Sequence, residues 1–118
     1  MEKEFIPYHQ AVELKLLGFN EKCAAHYLDH DDLELKWEKY RNLSINESRL
    51  VQAPMYQQAF RFFREKYNLR YSIGATNICV YHVPIKNYHT TGMIQDCKSY
   101  HEAELKCIDT FIEIAKQL

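Results

Sequence analysis

The hydrophobic period changes twice in the second half of this chain, and those changes limit what it can fold into. From Pro54 to Tyr67 the side chains of Tyr56, Ala59, Phe60, Phe63 and Tyr67 recur at three-and-four spacing, which predicts an amphipathic helix. Arg61, Arg64, Glu65 and Lys66 fill the remainder, and Asn68 can supply a left-handed stop. Arg70 to Ala75 and Ile78 to Ile85 then read as strands around a turn at Thr76-Asn77. In the second strand Ile78, Val80 and His82 share one face, and Cys79, Tyr81 and Val83 the other. Pro84 marks that strand's end or an edge position. A third strand is expected around Gly92 to Cys97. Helical spacing returns after Ser99, with Ala103, Cys107, Ile108, Phe111, Ile112, Ala115 and Leu118 on one broad face. Ser99 and Glu102 stand at the spacing of a capping box.

The first half is less regular. A helix is expected over Pro7 to Leu17, with Ala11, Val12, Leu14 and Leu16 as its apolar stripe. Gly18 suits the left-handed residue after it, and Phe19 can fold back as the hydrophobic partner of a Schellman stop. Leu33, Leu35 and Trp37 alternate with Glu34, Lys36 and Glu38, which is period two. With a turn at Asp29 to Asp32, Cys23 to Leu28 and Leu33 to Tyr40 make a hairpin. One helix from Glu21 to Tyr40 is the alternative, opposed by Asp29-His30-Asp31-Asp32, since Asp favours turns. Asn42 to Val51 reads as a polar loop. The expected fold is α+β, in the order α-β-β-α-β-β-β-α, with a small, mostly antiparallel sheet and helices on one face. Residues 1–118 are expected to form a single domain.

Bulk properties narrow the function classes. With 47% hydrophobic and 26% charged residues, a chain of 118 residues has enough apolar matter for a core without staples. A net charge of −1 gives no global electrostatic reason to bind nucleic acid or an anionic membrane. Met1-Glu2-Lys3-Glu4 leads into a short amphipathic segment rather than an apolar run, and no stretch is long enough to span a bilayer. The expectation is a cytoplasmic chain, not bound to membrane, whose cysteines 23, 79, 97 and 107 are reduced. Nine tyrosines are many for this length. Tyrosine offers much contact area with a polar tip, so the surplus hints at a recognition surface, although half-buried strands and helix margins use it too.

Four groups of residues have side chains of the types that catalysis, metal binding or nucleic-acid binding needs. Cys23, His26 and His30 are spaced C-x2-H-x3-H and could offer zinc ligands from one helix face; Cys97 and His101 form a second half-site. Neither has closely paired cysteines, so the ordinary reading is semi-buried Cys with surface His, and no cofactor is expected. Cys97 just before a helix, with His101 near it, is the one arrangement that suggests a small cysteine-dependent enzyme. It lacks a third group and a Gly-rich oxyanion turn. Asp29, Asp31 and Asp32 fail the EF-hand pattern, because Glu34 stands where Gly is needed and Tyr40 where Glu is needed. Arg61, Arg64, Lys66 and Arg70 form the densest basic cluster, interleaved with Phe62, Phe63, Tyr67 and Tyr71. Cations with exposed rings are what single-stranded nucleic acid needs, whereas a solvated helix face is the plainer account.

Two segments carry a resemblance. Ala53 to Tyr67 contains Pro-x-x-Gln-Gln-x-Phe-x-x-Phe-x-Glu-Lys-Tyr, and Tyr100 to Cys107 reads Tyr-x-Glu-Ala-Glu-x-x-Cys. The opening adds Gln10-Ala11-x-x-Leu14-x-x-Leu17-Gly18-Phe19. Together they resemble a group of small proteins from gut bacteria, their phages and mobile elements. That resemblance implies a class of origin and no activity. At the level of element order alone, three strands followed by a Ser-x-x-Glu-Ala helix is similar to antitoxins of the HicB type. The expected function is therefore a non-enzymatic binding module contacting a host or phage macromolecule, with a protein partner first, nucleic acid second, and self-association open. Its recognition residues are expected to be Arg61, Arg64, Arg70 and Tyr71, all exposed, with Tyr56 if it is not core.

Overall fold

The computed structural model describes residues 4–28, 33–35, 50–85 and 88–118. Its elements are α1 (Tyr8–Leu16), β1 (Ala25–Leu28), β2 (Leu33–Leu35), β3 (Leu50–Ala53), α2 (Tyr56–Tyr67), β4 (Arg70–Ile73), β5 (Cys79–Ile85), β6 (Tyr88–Ile94) and α3 (Tyr100–Gln117). The chain is α+β, and among the described residues all strand pairs are antiparallel. The order is the expected series with one strand more, because Leu50–Ala53 pairs with β1. All four residues of β3 are buried, so this strand lacks the alternation that reveals a half-wet one. The expected turn at Asp29 to Asp32, Trp37, Tyr40 and most of the expected loop over 42–51 lie outside the described residues. The chain divides into two compact units, Met1–Ala59 and Phe60–Leu118, with the boundary inside α2.

In the first unit the sheet runs β2-β1-β3. Pairing of Ala25, His26 and Tyr27 with Leu35, Glu34 and Leu33 decides for the hairpin over the single helix. Helix α1 packs on β3. Its stop is a Schellman motif: Phe19 N–H donates to the Leu14 carbonyl at 2.9 Å and Gly18 N–H to that of Lys15 at 3.0 Å. Gly18 holds φ 101° there, which a side chain would resist. Of the expected α1 stripe Ala11 and Leu14 are buried and Val12 is half-buried, but Gln10 joins the buried face and Leu16 is 76% exposed. Leu16 stands five residues from Ala11, well round the helix from that face. Tyr27 reaches across the unit to donate its hydroxyl to the Ile6 carbonyl at 2.9 Å.

The second unit has the strand order β4-β5-β6. Strand β6 begins at Tyr88 and pairs along all of β5, from Ile85↔Tyr88 to Cys79↔Ile94. It therefore starts four residues before the expected strand and ends at Ile94 rather than Cys97. Pro84 lies beyond His82, the partner of the first residue of β4, where β5 has β6 alone beside it, so a missing N–H is tolerated. Helix α3 packs on all three strands. Tyr71 and Tyr81 point to the helix side, where rings from α2 and α3 meet them, while Arg70, Ser72 and His82 face water. The Phe111 ring sits among those of Phe60, Phe63, Tyr71 and Tyr81 at centroid distances of 5.5–6.5 Å. Ser99 caps α3 by accepting from Glu102 N–H at 3.0 Å. The Glu102 carboxylate reaches back to Lys98 N–H at 2.8 Å, one residue before the cap. That bond, with the Lys106 ammonium beside it, holds the Glu102 carboxyl below its usual range.

Candidate functional site

The basic residues at the end of α2 and the start of β4 are brought together by a tight corner. Asn68 takes φ 57° and stops the helix, with its N–H on the Arg64 carbonyl at 3.0 Å. Leu69 is buried, and β4 starts at once with Arg70. Strand alternation then sends Arg70 to water and Tyr71 inwards. Phe60, Arg64, Leu69, Arg70 and Tyr71 line a cleft of about 270 Å³ at this corner. Arg70 Nε donates to Asn68 Oδ1 at 3.1 Å, which ties the guanidinium to the turn. Among the described residues, no carboxylate lies within ion-pair distance of Arg64 or Arg70.

Three of the four expected recognition residues thus share one cleft. Arg61 is exposed on the same helix but is not part of its lining. Tyr71 differs from expectation in being half-buried. Its ring stacks on Phe60 at 3.8 Å and 25° and meets Phe111 edge-on at 6.5 Å. Burial, followed by the nearby charges of Tyr100 and Glu104, pushes its phenol up to about 12. The phenol is therefore a neutral donor at any ordinary pH. Glu104 is itself raised by burial.

The other rings of the cluster are also engaged. Phe60, Phe62 and Phe63 are buried, which corrects the picture of exposed aromatics between the arginines. Lys66 Nζ sits 5.6 Å from the Phe62 ring centre and 5.5 Å from that of Tyr67, a cation–π arrangement. Tyr56 is core, being 4% exposed. The tyrosine surplus thus goes largely into packing: Tyr27 and Tyr56 are buried and Tyr8, Tyr67, Tyr71 and Tyr81 half-buried.

The cysteine and histidine groups do not assemble. Cys23 is buried, and His26 is wholly buried on β1 rather than on the surface. Cys23 lies ahead of β1, with a bend at Ala24 between it and His26, so the two do not share the helical face that the zinc reading needs. His30 lies outside the described residues. Among the described residues, no three His, Cys, Asp or Glu side chains converge as a metal site would require. Cys97 is half-exposed ahead of the α3 cap, and its thiol points to the Gln95 carbonyl at 3.9 Å. A different thiol pair is close. Cys79 of β5 and Cys107 of α3 are both wholly buried and hydrogen-bond to each other, which with burial holds the Cys107 thiol far up. All four cysteines are free.

Sequence patterning missed Phe60 and Leu69 as cleft walls. The signal was present in Asn68: a helix stop followed directly by a strand must fold positions 64 and 70 to one corner. No family model, curated protein or solved structure matches the chain. Among the described residues, no helix is long and apolar enough to cross a membrane.

Proposed function

We propose that this chain is a non-enzymatic binding module of phage or mobile-element type, acting in the cytoplasm, whose α2–β4 corner contacts a protein partner. The observation that carries this is the cleft at that corner, bounded by two arginines with no carboxylate partner among the described residues. Arginine on an apolar floor is a common anchor of protein interfaces, because the fork makes several hydrogen bonds for few frozen torsions. The motifs at 53–67 and 100–107 support the origin.

Nucleic acid is less favoured than a protein. Base recognition by stacking needs an open ring face, and the Phe60 and Tyr71 rings cover each other. A cysteine enzyme is less favoured still. Cys97 and His101 do not line the cleft, the buried Cys79–Cys107 pair is closed to substrate, and among the described residues the cleft is lined by no Cys, His, Asp or Glu.

The test is capture from extracts of the native host using the tagged full chain as bait. Wild type is compared with Arg64→Ala and Arg70→Ala, singly and together. Capture of a defined partner should fall at least tenfold in the double variant, with the fold unchanged by circular dichroism. Undiminished capture would place the recognition surface elsewhere.

A further inference from the structure

We infer that the cleft between Arg64 and Arg70 receives an oxyanion, a carboxylate or phosphoryl group, carried on a side chain of a partner peptide. This rests on the reading of the α2–β4 corner as the recognition surface and says what that surface recognises.

Charge is the first reason. Arg64 and Arg70 come from two elements joined by only Asn68 and Leu69, and both are exposed. Asn68 occupies Nε of Arg70, which leaves the terminal nitrogens of that fork for a ligand. Two guanidinium groups without a carboxylate partner among the described residues are matched by an acceptor that takes several N–H bonds at once, as carboxylate and phosphate do. Glu104, the carboxylate whose charge acts on Tyr71, is not among the residues that line the cleft.

Size and shape are the second reason. The cleft volume of about 270 Å³ falls just below the range of sites that enclose drug-sized ligands. It suits a charged head on a short stem. The remaining walls, Leu69, Phe60 and Tyr71, offer an apolar lining and one phenol donor. Within the cleft, the Phe60 and Tyr71 rings each spend one face on the other and both meet Phe111 edge-on, so the two rings leave no gap between them in which a nucleobase could be sandwiched. What remains is recognition of charge with an aliphatic stem, which describes a peptide side chain better than a nucleotide.

The experiment uses the full chain, labelled with nitrogen-15, in phosphate-free buffer at fixed ionic strength. Four probes are titrated: inorganic phosphate, and one decapeptide carrying phosphoserine, glutamate or glutamine at its centre. Amide and arginine Nε–H signals are followed. The expected result is shifts centred on Leu69, Arg70, Tyr71 and the Arg64 Nε–H with the phosphoserine or glutamate peptide and none with glutamine. Arg64→Gln and Arg70→Gln should each weaken that binding at least tenfold while leaving signals far from the corner in place. Arg64→Lys should recover part of it. Tighter binding of phosphoserine than glutamate assigns a phosphoryl group, and the reverse order a carboxylate.

Equal shifts from all three peptides, or shifts away from this corner, would overturn the inference. So would binding of an oligothymidylate that competes off the acidic peptides and is lost in the same variants. If the Arg64→Ala, Arg70→Ala bait loses its partner yet no oxyanion shifts these signals, the recognition surface stands and the oxyanion assignment fails. If neither responds, both fail.

Discussion

Tyr71 tests whether the cleft wall is structural as well as functional. Tyr71→Ala removes a half-buried ring that stacks on Phe60 at 3.8 Å and touches Phe111. Truncating a fully buried aromatic to Ala costs about 3–5 kcal/mol, so half of one loses about 2. The stacked pair adds about 1 kcal/mol beyond area. A total near 3 kcal/mol is a large share of the roughly 5–15 kcal/mol that holds a domain folded. At this chain length it should lower the melting temperature by roughly 10 °C. Tyr71→Phe keeps the ring and loses only the hydroxyl, so its cost should stay within about 1 kcal/mol. Arg64→Ala, at an exposed position, should stay within about 0.5 kcal/mol. Urea denaturation followed by far-ultraviolet circular dichroism measures all three. A Tyr71→Ala midpoint within 1 kcal/mol of wild type, with a native spectrum, would refute the packing argument and return Tyr71 to the surface. The expectation from sequence that Tyr71 is as exposed as Arg64 gives way to a half-buried ring. Arg64 and Arg70 are the pair that separates binding from folding.

Further outcomes follow from other parts of the fold. Ser99→Ala should cost about 1 kcal/mol in the same urea assay, with Ser99→Asp restoring most of it, because only the acceptor for Glu102 N–H is lost. The Tyr71 phenol, raised from 10.0 to about 12 by burial, should make wild type lose stability relative to Tyr71→Phe between pH 10 and 12. The sign follows because the unfolded chain releases the proton first; the contribution is fully present below pH 10 and gone above about 12. Parallel melts across that range would show no divergence if the phenol were solvated. A maleimide should modify Cys97 in the native protein and spare Cys23, Cys79 and Cys107 until denaturant is added. Fast labelling at all four, counted by mass spectrometry, would contradict the burial. Gly92→Ala should destabilise by about 1–3 kcal/mol, since an added Cβ overlaps the Tyr81 ring that crosses it. A double-mutant cycle with Tyr81→Ala should show strong non-additivity, and simple additivity would remove Tyr81 as the cause.

The α+β class, the bounds of α2 and α3, the Gly18 and Asn68 stops and the Ser99 cap were legible from the amino acids alone. Each is a local effect. A helix face, a left-handed stop and a capping hydroxyl are governed by residues within a turn or so of one another. The same holds for the juxtaposition of Arg64 and Arg70, since only two residues separate helix from strand. What tertiary structure decided is where burial falls. Leu50–Ala53 is a strand because β1 lies beside it, and nothing in four residues buried on both faces announces a partner distant in sequence. Gln10 faces the core while Leu16 is left in water, because packing on β3 selects one side of a helix whose own pattern is weak. Phe62, Phe63 and Tyr71 looked like rings offered to a ligand, and they are spent on each other and on the core. The proximity of Cys79 and Cys107, 28 positions apart, depends on α3 lying across β5. A side chain's environment depends on contacts between distant segments, and residue type and spacing record only those between near ones.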